Sequence, residues 1–165
     1  MSVIFNADEI FEMAEQIERN GAKFYRKAAD AAVSVRARPL LLRLASMEDD
    51  HERTFAAMRT SLSTQQRAAM VFDPDDQAVL YLRVIAGGYV FDVKGDPSKR
   101  LTGRETMGEI LRTAIVLEKD SIVFYVGIKE KVPERLGKDK VDAVIREEMS
   151  HVTLLSNELA GLKES

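Results

Sequence analysis

Glu48-Asp49-Asp50-His51 and Glu148-Met149-Ser150-His151 are one motif, Glu-x-x-His, written twice one hundred residues apart. Between them they use both histidines of the chain. Thirty residues before each motif stands another glutamate, Glu18 and Glu118, and each is followed by Phe-Tyr, as Phe24-Tyr25 and Phe124-Tyr125. The constellation Glu…Phe-Tyr…Glu-x-x-His therefore recurs in a single register. Side chains three apart share one face of a helix, so each motif can present both its Glu and its His in one direction.

The surrounding residues supply the helices. Asn6 with Glu9 reads as a capping box, and Ile10, Ala14, Ile17, Gly21, Phe24 and Ala28 then form a helical stripe. A second helix is expected to start between Ser34 and Pro39 and to carry Leu41, Leu44, Met47, Phe55 and Met58, after only a short turn. Thr106 with Glu109 is another capping box, and Ile110, Ala114, Leu117, Phe124 and Ile128 mark a third helix. Val132-Pro133 and Gly137 break the chain; Asp139 is the expected cap of a last helix through Val141, Val144, Ile145, Val152 and Leu155, ending near Gly161. The middle reads differently. Asp73-Pro74-Asp75-Asp76 looks like the start of a short helix that stops at Gly87-Gly88, and Tyr89 to Leu101, with Gly95-Asp96-Pro97, looks extended or irregular.

The expected fold is all-α, a single domain. It comprises a helical hairpin over 6–63, a long crossover containing a short helix over 64–105, and a second hairpin over 106–161.

Four helices sending Glu, Glu-x-x-His, Glu and Glu-x-x-His toward one axis make the ligand set of a dinuclear metal site. The expected ligands are Glu18, Glu48, His51, Glu118, Glu148 and His151. Carboxylates are hard anionic donors able to bridge two cations, and neutral imidazole suits iron, manganese or zinc. Glu18 and Glu118 sit on otherwise apolar stripes, flanked by small residues such as Ala14, Gly21, Ala114 and Ser121. A buried, unpaired glutamate is costly and calls for a partner. A lone Glu-x-x-His on a helix is usually a solvated face; two in register with matched upstream glutamates are not.

Glu147, next to Glu148 and one turn before His151, competes for the same role. The repeat favours Glu148 and leaves Glu147 as a solvated neighbour. Glu15, Asp49, Asp50 and Asp120 read as surface charge, with Asp120 a candidate to support a ligand. Tyr25 and Tyr125 lie two turns beyond Glu18 and Glu118. They are either core aromatics or hydroxyl donors to a ligating carboxylate on a neighbouring helix. Tyr81, Tyr89 and Phe91 read as packing residues of the crossover.

Composition narrows the alternatives. The 165 residues carry 24 basic and 27 acidic side chains, a net charge of −3, with no Lys/Arg block suited to nucleic acid. There is no cysteine, which removes disulfides, thiolate metal sites and cysteine nucleophiles. No apolar run approaches the roughly 20 residues of a membrane helix, and the N-terminus lacks a secretory pattern. A soluble cytoplasmic protein is expected.

With Glu18, Phe24-Tyr25, Glu48-x-x-His51, Glu118, Phe124-Tyr125 and Glu148-x-x-His151 in place, the chain resembles the rubrerythrin branch of the ferritin-like superfamily over roughly residues 6–63 and 106–161. The resemblance implies a site for two irons, with Glu48 and Glu148 as bridges. It further implies reduction of hydrogen peroxide, or oxidation of ferrous iron by dioxygen. Departures are visible too. The four cysteines of a rubredoxin-like domain are missing, so electrons would come from a separate donor. Ser121 stands where rubrerythrins carry an extra glutamate, and His151 where they tend to offer a carboxylate. The symmetric set is closer to that of bacterioferritin, without the fifth helix of cage-forming ferritins. The resemblance also implies a homodimer, with Val79–Ile85 and Tyr89–Val93 as candidate contacts. Two other functions fit the same residues: a non-catalytic protein that sequesters or delivers iron, and a structural bundle holding zinc or nothing.

Overall fold

The computed structural model describes residues 6–31, 36–68 and 95–163. Its elements are helices α1 (Ala7–Ala31), α2 (Ala37–Thr60), α3 (Thr64–Ala68), α4 (Met107–Lys129) and α5 (Lys138–Lys163), with single 3-10 turns at Pro97–Arg100 and Glu134–Leu136. No strand occurs among the described residues. The expected short helix from Asp73 to Gly87, Tyr81, Tyr89, Phe91 and the segments Val79–Ile85 and Tyr89–Val93 lie outside the described residues.

Local chemistry sets the helix starts. The Glu9 N–H donates to Asn6 Oδ1 at 2.9 Å and the Asn6 N–H to Glu9 Oε2 at 3.0 Å, a reciprocal cap that satisfies two donors the first turn leaves free. Thr106 and Glu109 close the same box on α4. Arg36, at the start of helix α2, makes no side-chain cap; Pro39 sits in its first turn, where a missing N–H costs nothing. Helix α5 differs from expectation. Gly137, in the left-handed region at φ 98°, precedes it, and its carbonyl accepts from Lys140 and Val141. Asp139 is therefore not the cap but a first-turn acid facing the positive end of the helix. The helix also continues past Gly161 to Lys163.

α1 packs along α2 and α4 along α5, giving two hairpins; α1 also meets α4, and α2 meets α5. The core falls into two apolar clusters. One contains Ile10, Phe11, Ala14, Ile17, Phe55, Met58, Phe124, Tyr125, Ile128, Val141, Val144 and Ile145. The other contains Phe24, Tyr25, Ala28, Leu41, Leu44, Ile110, Leu111, Ala114 and Leu155.

On every helix the site residues fall between these two groups: Glu18 after Ile17, Glu48 and His51 between Leu44 and Phe55, Glu118 between Ala114 and Phe124, Glu148 and His151 between Ile145 and Leu155. A buried polar layer is thus sandwiched between two oily ends. Ile10 and Ala14 lie in the first cluster and their counterparts Ile110 and Ala114 in the second. The sequence repeat accordingly exchanges the two ends of the bundle, with its pseudo-twofold axis across the helices at the polar layer.

Candidate metal centre

All six sequence-selected side chains meet in that layer. Their relative exposures are 0% for Glu18, Glu148 and His151, 3% for His51 and Glu118, and 4% for Glu48. They form two overlapping groups, Glu18–Glu48–His51–Glu148 and Glu48–Glu118–Glu148–His151, in each of which the donor atoms lie within 4.8 Å of one another. Glu48 and Glu148 belong to both groups. The two imidazoles lie side by side, ring centres 5.6 Å apart and planes 20° from parallel.

The polar atoms face inward without satisfying one another. His51 Nδ1 is 2.8 Å from Glu148 Oε1 and 3.4 Å from Glu18 Oε2. His151 Nδ1 is 3.2 Å from Glu48 Oε1, 3.5 Å from Glu118 Oε2 and 3.6 Å from Glu148 Oε2. Yet Glu18 Oε2, Glu48 Oε1, both oxygens of Glu148, Nδ1 of both histidines and Nε2 of His151 are buried with no aligned hydrogen-bond partner among the described residues. Buried polar atoms are nearly always bonded, so seven unpaired in one spot mark a place built for something else. Carboxylate and imidazole donors converging at these distances fit divalent cations of the iron, manganese or zinc type.

The electrostatics follow from the crowding. Burial, then the neighbouring carboxylates, raises Glu48 and Glu148 well above the usual carboxylate range. Burial also opposes ionisation of Glu118, but the adjacent Glu148 carboxyl, the His151 imidazole and the Tyr25 hydroxyl together outweigh it and the group is lowered. For the histidines burial works against protonation, and the adjacent carboxylates overcome it. His51 is lifted to about 11 by Glu148 and Glu18, and His151 to about 9 by Glu118 and Glu148. Without metal, protons take over the charge balance that cations would otherwise provide.

The tyrosines cross-link the layer. The Tyr25 hydroxyl on α1 donates to Glu118 on α4, and the Tyr125 hydroxyl on α4 donates to Glu18 on α1. Burial, reinforced by the carboxylates, raises both phenols well above their usual range, so they remain donors. Phe55 stacks on Tyr125 at 5.1 Å, while Phe24 and Phe124 meet Tyr25 and Tyr125 edge-on at 5.7 and 5.6 Å. These rings pack around the hydroxyls and are themselves buried. The structure displays both roles the sequence leaves open: the rings belong to the two apolar clusters, and the hydroxyls donate to a carboxylate on the neighbouring helix. Replacing Tyr125 by Phe keeps the ring and leaves Glu18 without its donor. Metal affinity should fall about 10–100-fold, read by competitive titration with a chromophoric chelator.

Gly21 gives Glu48 its space. A Cβ on Gly21 would stand 3.2 Å from Glu48 Oε2, so Gly21→Ala must push that carboxylate aside. The same change favours the helix by about 1 kcal/mol. We expect unchanged or higher stability without metal, together with about tenfold weaker metal binding, from thermal melts and titration of one preparation.

Two expectations need correction. Glu147 is 54% exposed at its side chain, but it is not merely solvated: its Oε2 lies 2.8 Å from His51 Nε2. Glu15 is buried rather than on the surface, 3.6 Å from Arg59 and 3.9 Å from Arg19. Asp49 and Asp50 pair with Arg26 and Arg53 respectively. Asp120 is half-buried, its carboxyl raised by burial against the opposing pull of Lys119 and Arg100.

Two antiparallel hairpins with a carboxylate–histidine layer at mid-height have a close structural counterpart. A crystal structure of a candidate ferritin-like diiron-carboxylate protein from Thermotoga maritima superposes with a TM-score of 0.75, over 95% of this chain and 96% of that one, at 23% identity. The fold is ferritin-like. No family model and no curated protein matches the chain. No described helix is long and apolar enough to cross a membrane.

Proposed function

We propose that the buried layer holds two iron ions and that the protein is a di-iron carboxylate oxidoreductase of the rubrerythrin and bacterioferritin kind. It would reduce hydrogen peroxide or oxidise ferrous iron with dioxygen. The observation that carries this reading is the pair of ligand groups sharing Glu48 and Glu148, with Glu18 Oε2, Glu48 Oε1, both oxygens of Glu148 and Nδ1 of both histidines buried and unpaired among the described residues. Glu18 and His51 would hold one ion, Glu118 and His151 the other, and Glu48 and Glu148 would span both. The iron pair, when bound, supplies reversible one-electron redox chemistry and a Lewis-acid surface for the oxidant.

The chain's own part is positioning and exclusion. Tyr25 and Tyr125 steady the terminal carboxylates by donating to their outer oxygens. The aromatic rings above and below the layer keep bulk solvent from the reactive centre. Of the two shared glutamates, Glu48 has room because Gly21 leaves space against it. A separate donor, or incoming ferrous iron, would provide electrons. A homodimer in the cytoplasm belongs to the same proposal, and the mass in solution tests the dimer.

Steady-state kinetics decide the chemistry. Iron-loaded protein with a chemical reductant should consume peroxide catalytically, or should turn over added ferrous iron with dioxygen; the faster reaction names the activity. Iron that binds in full and supports neither reaction would assign the protein to sequestration or delivery instead.

A further inference from the structure

The repeat is symmetric in its six ligand positions but not one residue away. Position 147 is glutamate and its counterpart, position 47, is methionine. The consequence lies in the imidazoles. Both present Nδ1 to the carboxylates, leaving Nε2 on the far side of the ring. His51 Nε2 is held by Glu147 at 2.8 Å, a charge-assisted hydrogen bond that fixes the ring's orientation and places the proton on Nε2. His151 Nε2 is fully buried and has no partner among the described residues. Met47 is half-buried, and a thioether is at best a weak acceptor. Such outer hydrogen bonds determine how well a histidine is presented to a metal.

We propose that Glu147 is a positioning residue that makes the two metal positions unequal: the Glu18–His51 position binds tightly and fills first, and the Glu118–His151 position is the weaker, exchangeable one. This inference rests on the two-metal reading given above. It assigns the two positions different tasks, a resident ion beside His51 and an ion that enters and leaves beside His151.

Titration of metal-free protein with Co2+, followed by visible absorbance and calorimetry, tests it. Wild-type protein should bind two ions in two resolved steps at least about tenfold apart in affinity. Glu147→Met, which copies the other half, should weaken the first step by about 10–100-fold and merge it with the second. Met47→Glu, which supplies the missing acceptor, should strengthen the second step and narrow the gap from the other side. A slowly exchanging His51 Nε2–H proton signal should be present in wild-type protein and absent in Glu147→Met, a change that general loss of packing would not single out. Two ions in one unresolved step, or a spacing that Glu147→Met leaves unaltered, would overturn the inference and leave the two-metal reading standing. Fewer than two ions in wild-type protein would overturn both.

Discussion

Glu148→Gln should abolish binding of both metal ions and, at the same time, raise the melting temperature of the metal-free protein. Glu148 contributes to both ligand groups and is wholly buried. An amide of the same shape is a poor ligand for either ion, so affinity should fall more than the roughly 100-fold that outer hydrogen bonds contribute. The stability change has the opposite sign. Burial and then Glu118 and Glu18 oppose ionisation of Glu148, which makes it a group the folded chain tolerates for function. Neutral Gln removes that opposition. Single stabilising changes of this kind typically give about 0.5–2 kcal/mol, or roughly 1–8 °C for a chain of this size.

Glu18→Ala and His51→Ala give a contrasting result. Each removes a residue from one group only and leaves Glu48, Glu118, Glu148 and His151 intact, so one ion should remain. If Glu148→Gln lowers the metal-free melting temperature, repulsion among the carboxylates is not what raises these groups.

Metal loading should give the other large effect, and it should grow with pH. A ligand at about a thousand times its Kd stabilises by about 4 kcal/mol, roughly 8–16 °C here. The pH dependence comes from the histidines. Unfolded imidazoles titrate near 6.5, whereas in the folded metal-free protein His51 is lifted to about 11 and His151 to about 9. Above 6.5 the folded form therefore holds protons that the unfolded form has released. This contribution to stability is complete below 6.5 and is lost as pH rises through about 9 and then about 11. Metal must displace those same protons, so its affinity rises with pH. The difference in melting temperature between Co2+-loaded and metal-free protein should widen from pH 6.5 to pH 9. A constant or shrinking difference would mean that the imidazoles do not carry protons in the metal-free layer.

The sequence showed most of what is local and most of what repeats. The Asn6–Glu9 and Thr106–Glu109 boxes are three-residue signals, legible because both partners lie within one turn. The convergence of six ligands was legible because the second half writes the first again. The Ser63–Gln66 box that opens α3 is a signal of the same local kind. Gly137 displaced Asp139 as the start of α5 because a left-handed glycine ends the preceding turn and its carbonyl already accepts the first helical bonds. Glu147 and Glu15 could not be placed from spacing. Their partners, His51 and Arg59, are on another helix, 96 and 44 residues away in the sequence, and only packing brings them within reach.

Anaerobic titration of the metal-free protein with ferrous iron tests the central claim most directly. Two irons per chain should bind, with ferric absorbance in the near ultraviolet appearing when peroxide or air is admitted, and Glu148→Gln should bind none. One weakly held iron or none in the wild-type chain, with no spectral change on oxidation, would contradict the assignment of the buried layer as a two-iron redox centre.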